Sequence, residues 1–178
     1  METSIYMDKF LYKHINKIAL DNKNEQMMLY GGKTIGNSVV VNYKSFVHLQ
    51  SDNLISSDSE SIKVSLKELE KYIIANKQLG NDTFFMTHSH PCKSNMFEFM
   101  FGDLSNDDEV ISQKIRKVCN KYGLDYIDGI TTGRKLYYWS THDMEKYPKL
   151  LKCYIDGIEI NYNNLTQITE DLEHILIK

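Results

Sequence analysis

An apolar run that ends directly in two histidines constrains this chain more than any other feature of its sequence. Thr83–Thr87 (TFFMT) predicts a short buried strand, and His88-Ser89-His90-Pro91 follows it at once. Side chains alternate along a strand, so His88 and His90 are expected on one face. Two imidazoles on one face can chelate a single ion, and neutral imidazole suits Zn²⁺. The sequence therefore predicts a metal site at the end of a buried strand.

Acidic residues on either side of this strand supply the other groups that a hydrolytic zinc site needs. Such a site has a third protein ligand and one open position for water. The segment Gly102–Glu109 (GDLSNDDE) contains Asp103, Asp107 and Asp108, and the third ligand is expected among them. Upstream, Glu25 heads a predicted strand, where its carboxylate is placed to take a proton from the bound water.

Hydrophobic periodicity predicts helices and strands in alternation along the chain. The helix from Ser65 carries Glu68 three residues on, which is the pattern of a capping box. Such an order predicts an α/β or α+β domain with a central mixed sheet flanked by helices. The predicted elements are a helix over Ser4–Ala19, strands Gln26–Tyr30 and Val39–Val47, a surface loop Ser51–Ser61, a helix from Ser65 to Gly80-Asn81, the strand Thr83–Thr87, a helix Ser105–Tyr122 with Val110, Ile115 and Cys119 facing inward, strands Tyr126–Thr131, Lys135–Ser140 and Gly157–Tyr162, and a helix from Leu165.

Composition limits the class of protein. The 178 residues are 42% hydrophobic and 25% charged, which suits one globular domain over residues 1–178, with the motifs in 1–140 and a C-terminal extension, a strand and a helix, in 141–178. No apolar run approaches the about 20 residues of a membrane span. Residues 1–10 lack a cationic region followed by an apolar stretch, so we expect no signal peptide and a cytoplasmic location. The net charge of −3 argues against nucleic acid or an anionic membrane as partner. Cys92, Cys119 and Cys153 are predicted to be free thiols, two of them in the core.

Taken together, these motifs resemble the JAMM metallopeptidases, also called JAB or MPN domains. Their pattern is a Glu that opens the first hairpin strand, then H-x-H-P, then S-x-x-D. Glu25 corresponds to that Glu, His88 and His90 to the two histidines, and Ser105-Asn106-Asp107-Asp108 to S-x-x-D. The resemblance runs from the first helix to Thr132, and the stretch from Gly102 looks most like the bacterial RadC-type branch. It implies a cytidine-deaminase-like, MPN-type fold.

The resemblance also implies an activity and a role for each residue. His88, His90 and Asp108 would bind one Zn²⁺ per chain, which lowers the pKa of its water toward about 7. Glu25 would act as general base and pass the proton to the leaving amine, and the Ser105 hydroxyl would stabilise the oxyanion. Members of the family hydrolyse peptide or isopeptide bonds, and many remove ubiquitin or ubiquitin-like proteins from lysine side chains. They often act with a partner subunit.

One departure from the family pattern lies between the second histidine and the aspartate. Seventeen residues separate His90 from Asp108, which is longer than the family spacing, whereas 12 separate His90 from Asp103. Asp108 is preferred because Asp103 has no Ser three positions earlier. The extra residues, Cys92–Phe101, include the apolar cluster Met96, Phe97, Phe99, Met100 and Phe101. This cluster is either a lid that grips substrate or a segment packed on the core.

Plainer interpretations stand beside the enzymatic one. H-x-H before a proline also occurs as an ordinary pair of histidines at a turn, and S-x-x-D also caps helices. Two alternative functions follow: a non-catalytic MPN-type module that binds a protein partner, and a RadC-like protein of DNA metabolism. Loss of activity on replacing Glu25 would separate the enzyme from the first, and a salt-dependent DNA-binding assay would test the second.

Overall fold

The computed structural model describes residues 3–22, 24–49, 55–57, 62–89, 106–133, 136–140 and 150–160. Within these ranges lie three helices and ten strands. The helices are α1 (Lys9–Asp21), α2 (Leu66–Gln78) and α3 (Asn106–Lys121). The strands are β1 (Ser4–Met7), β2 (Met27–Ile35), β3 (Ser38–His48), β4 (Ile55–Ser57), β5 (Ile62–Val64), β6 (Thr83–Ser89), β7 (Asp125–Thr131), β8 (Leu136–Ser140), β9 (Lys152–Ile155) and β10 (Ile158–Glu159).

Eight of these strands form one mixed sheet in the order β10-β9-β1-β3-β2-β6-β7-β8. The pairs β1/β3, β1/β9 and β6/β7 are parallel, and the other neighbours are antiparallel. The sheet curls so that β9 approaches β8, at the opposite side of the strand order. Leu151, just before β9, donates its N–H to the carbonyl of Tyr138 in β8 at 2.9 Å. The predicted α/β class with a central mixed sheet flanked by helices is therefore confirmed, and β4 and β5 form a separate two-stranded sheet.

Each face of the sheet has its own apolar core. Helix α1 packs on one face, where Leu11 and Ile15 meet Met28 and Tyr30 of β2. Helices α2 and α3 cover the other face; its buried residues include Met27, Leu29, Leu69, Ile73, Phe84, Met86, Ile115 and Cys119. Successive residues of β2 and β6 alternate between the two cores, as a strand buried on both faces requires. The aromatic run Tyr137-Tyr138-Trp139 of β8 is buried.

The N-terminal segment departs from the sequence prediction. A helix was expected from Ser4, but Ser4–Met7 is a strand and the helix begins at Lys9. Ile5 and Met7 alternate into the core, and β1 hydrogen-bonds to strands on both sides. Asp8 then starts the helix, because its carboxylate accepts the N–H of Leu11 at 2.8 Å.

The glycine pair Gly31-Gly32 lies within β2 and does not end it, contrary to prediction. A Cβ on Gly31 would lie 2.0 Å from Oδ1 of Asn76, so only glycine fits under α2 at this point. The ladder shifts register between Leu29 and Gly31, and the strand continues to Ile35. The glycines therefore permit close packing of helix on sheet. The hairpin turns at Gly36-Asn37, a residue pair that is typical of turns.

Several smaller predictions also differ from the structure. Ser65 precedes α2, but its hydroxyl makes no capping hydrogen bond, so the predicted capping box is wrong. Val110 is 46% exposed, whereas Ile115 and Cys119 of the same helix are fully buried as expected. The predicted loop Ser51–Ser61 contains β4.

At the C-terminal side, β9 was missed, and the expected strand at Gly157 is the short β10. The helix predicted from Leu165 lies outside the described residues. None of the helices in the described ranges is both long enough and apolar enough to cross a membrane. Cys119 and Cys153 are buried free thiols, as predicted, and Cys92 lies outside the described residues.

Candidate active site

The topology brings three chain segments to one end of the sheet. β2 and β6 are antiparallel, with Met27 opposite His88, so β2 begins where β6 ends. Helix α3 connects β6 to β7, and the chain leaves it beside the start of β6, where Asp125 donates its N–H to the carbonyl of Asp82 at 2.8 Å. The 16 residues of α3 span about 24 Å, close to the about 23 Å of the seven-residue β7. Helix α3 therefore begins at the same end of the sheet.

Glu25 and His88 are both buried at this end of the sheet. Each is 5% exposed. His88 follows Phe84 and Met86 in the alternation of β6, which places it on the face that α3 covers. Glu25 stands two residues before Met27, whose side chain packs on that same face. A carboxylate and an imidazole thus come from neighbouring antiparallel strands to one edge of the sheet.

Gln26 fixes the backbone on which Glu25 stands. Its N–H donates to Oγ of Ser89 at 2.9 Å, and the Ser89 N–H donates back to its carbonyl at 2.8 Å. Its side-chain amide donates to the carbonyls of Asn24 at 2.8 Å and Glu25 at 3.2 Å. Its Oε1 lies 2.9 Å from Nε2 of His48. The position of Glu25 is therefore set by main-chain bonds and by one glutamine that is itself 1% exposed.

His48, at the end of β3, has no partner at metal-ligand spacing in the sequence, yet it belongs to this arrangement. Because the Gln26 amide nitrogen is already a donor, its oxygen accepts, and Nε2 of His48 must carry the proton. Burial lowers the pKa of His48 below its ordinary value of 6.5, and the nearby His14 lowers it further. No sequence spacing signals this contact, because it depends on the register of β3 against β2.

The lowered pKa of His48 predicts a loss of stability in acid. Protonation favours the unfolded chain, because His48 has the higher pKa there. The contribution of neutral His48 to the free energy of unfolding is therefore complete above about pH 6.5, and it declines as the pH falls toward the pKa of the folded state. Urea unfolding between about pH 5 and pH 8 measures this slope. His48→Gln should flatten it. Equal slopes in the parent and the variant would mean that His48 does not cause the acid sensitivity.

A second buried polar group lies between α3 and β7. Ser112 of α3 donates its hydroxyl to Oδ2 of Asp128, and the Gly129 N–H donates to Oδ1 at 3.0 Å. Asp128 is 2% exposed and Ser112 7%. The Tyr126 hydroxyl is buried without a hydrogen-bond partner among the described residues, and burial followed by the charge of Asp128 raises its pKa. In the sequence, the one signal for the Ser112–Asp128 pair is an acidic residue inside a predicted buried strand.

The predicted site residues fall into three groups. Glu25 and His88 are described and lie at one edge of the sheet, as stated above. For Asp108 only the backbone is described; it belongs to the first turn of α3, one turn before Ser112. His90, Asp103, Ser105, Phe97, Phe99 and Phe101 lie outside the described residues. Among the side chains that are described, no three His, Cys, Asp or Glu groups converge on a point.

No protein-family model matches the chain, and neither does any curated protein. The chemistry of the site therefore follows from its residues alone. A buried imidazole at the sheet edge and a carboxylate position in the first turn of the facing helix are donors of the kind that zinc binds. A buried carboxylate beside them, on a fixed backbone, suits proton transfer. Among the described side chains, His88 is the donor that such a metal would use, and Glu25 is the carboxylate nearest to it in the strand register.

Proposed function

We propose that this chain is a zinc-dependent peptidase or isopeptidase of the JAMM type. One observation carries the proposal: Glu25, two residues before β2, and His88, near the end of the neighbouring antiparallel strand β6, are both buried at the end of the sheet where α3 begins. A base, a metal ligand and a helix N-terminus with acidic residues thus share one end of the sheet. The order of hairpin, metal-bearing strand, helix and parallel strand also supports the MPN-type fold within the confirmed α/β class.

His88, His90 and Asp108 would hold the metal in this proposal. His90 stands two residues after His88 in sequence, the spacing that repeats one face of a strand. Asp108 is preferred to Asp103 because its backbone lies in the first turn of α3, on the helical stripe that continues through Ser112. Bound zinc supplies a water of lowered pKa and a Lewis acid for the substrate carbonyl.

The chain's own groups perform the remaining steps. Glu25 accepts the proton of the attacking water and delivers it to the nitrogen of the leaving amine. The Ser105 hydroxyl donates a hydrogen bond to the oxyanion of the tetrahedral intermediate. Phe97, Phe99 and Phe101 form an apolar segment that contacts the substrate's extended tail. The lysine-linked tail of a ubiquitin-like protein, or a peptide, is the substrate class, and we place the protein in the cytoplasm.

A direct assay tests this function. The zinc-supplemented chain is incubated with ubiquitin joined through its terminal carboxyl to a lysine amine, and with a mixed peptide library, and products are identified by mass spectrometry. We expect cleavage of an amide bond that chelation abolishes and added zinc restores. Absence of cleavage in both substrates, with zinc bound, would favour the non-catalytic binding module instead.

A further inference from the structure

The hydrogen bond between Ser112 and Asp128 is a polar contact within an otherwise apolar helix–sheet interface. Below it, α3 packs through Ile115 and Cys119, both fully buried. Apolar contacts of this kind are non-directional and allow a helix to slide or turn by small amounts. A hydrogen bond from a hydroxyl to a carboxylate is directional, and the second carboxylate oxygen is held by the Gly129 N–H. The pair therefore fixes the position of α3 along its axis, and its rotation about that axis, relative to β7.

The Ser112–Asp128 pair lies two residues before the level of the proposed metal site along β7, and one helical turn after it along α3. Asp128 is opposite Met86 of β6, and Ile130, two residues on, is opposite His88. Two strand residues rise about 6–7 Å, and one turn back along α3, from Ser112 to residue 108, rises about 6 Å in the same direction. Setting Ser112 against Asp128 therefore brings the backbone of residue 108 level with His88.

We propose that Ser112 and Asp128 are positioning residues that hold the Asp108 ligand in register with His88. This inference rests on the proposed function, since it concerns the same metal. Partners outside the ligand shell that orient ligands typically change metal affinity 10–100-fold when removed. A tetrahedral site also tolerates ligand displacement of only about 0.5 Å. Loss of the Ser112 hydroxyl should therefore lower the affinity for zinc in a chain that still folds.

The test measures zinc affinity of the full chain by competition with a chromogenic chelator. We expect Ser112→Ala to weaken zinc binding at least about 10-fold and to change the visible absorption of the cobalt-loaded protein. Asp128→Asn keeps an oxygen for the Gly129 N–H and presents an amide to the Ser112 oxygen, so it should retain most of the affinity. Thermal unfolding of each metal-free variant checks that it is folded.

Ser45→Ala is the matched control. Ser45 is a buried serine whose Oγ accepts the Gly31 N–H at 2.7 Å, in the middle of the sheet. The Ser45→Ala variant also loses a buried hydroxyl, with its bonds to the Gly31 N–H and the Asn42 carbonyl, and should bind zinc like the parent. If Ser112→Ala binds zinc as tightly as Ser45→Ala, the positioning role is wrong and the proposed function stands. If the parent itself binds no zinc, both proposals are overturned.

Discussion

His88→Ala should reduce the zinc content of the purified chain from about one ion per chain to near zero. When one imidazole is removed from a site with three protein ligands, the affinity for zinc falls sharply, because the two remaining donors no longer enclose the ion. His88 is 5% exposed at the end of β6, so alanine also opens the site to water. Plasma mass spectrometry on protein purified without chelator or affinity-tag metal gives the ratio of zinc to chain.

Three further variants sharpen this measurement. Asp108→Ala should lose zinc and Asp103→Ala should keep it, if the third ligand lies in the first turn of α3. His48→Gln is the control for a histidine near the site that binds Gln26 and no metal, and it should keep zinc. Zinc at parental level in His88→Ala, or no zinc in the parent after supplementation, would contradict the proposed centre.

Glu25→Gln should lower the rate of hydrolysis by about 10²–10⁴-fold while leaving zinc bound. The amide has nearly the shape of the carboxylate but cannot accept the proton of the attacking water. Ser89 holds this segment through the backbone of residue 26, and the Gln26 side chain holds it through the carbonyl of residue 25, so these bonds remain in the variant. Initial rates and zinc content are measured on the same preparation with the same lysine-linked conjugate.

Glu68→Gln provides the matched control for that experiment. Glu68 is a glutamate on α2 that pairs with Lys71 at 2.7 Å and takes no part in the proposed site. It should hydrolyse substrate at the parental rate. If Glu25→Gln retains activity within a few-fold, another group is the base. If it loses zinc together with activity, Glu25 acts on the metal site and not as the base.

Local patterns were sufficient for the helices and the central strands but not for β1, β4, β5 and β9. Ile5 and Met7 alternate with the period of a strand, but two residues are too few to separate β1 from the helix that follows it. The deciding partners, Val39 and Cys153, stand far along the chain. The glycine pair in β2 was misjudged for a similar reason. A glycine pair indicates the end of a strand, and only the contact of Asn76 of α2 with Gly31 shows why the strand contains it.

The candidate site, like the fold, was predictable only where its residues form a local pattern in the sequence. Glu25 and His88 were named from residue type and spacing, because a metal motif on a buried strand is a local pattern. The groups that hold them in place were not. The contact of His48 with Gln26 depends on strand register, and that of Ser112 with Asp128 depends on how a helix lies on a sheet. Neither arrangement leaves a spacing in the sequence.

The place of β1 between β3 and β9 has a consequence for how the protein is made. Ser4–Met7 leaves the ribosome early, yet the strand that covers its second edge, Lys152–Ile155, follows only after nearly the whole sheet has been synthesised. Such long-range parallel pairing slows folding, and an open strand edge invites association between nascent chains. A fragment that stops at residue 140 keeps that edge open permanently. Chaperone demand and yield should therefore depend on a segment that takes no part in the candidate site.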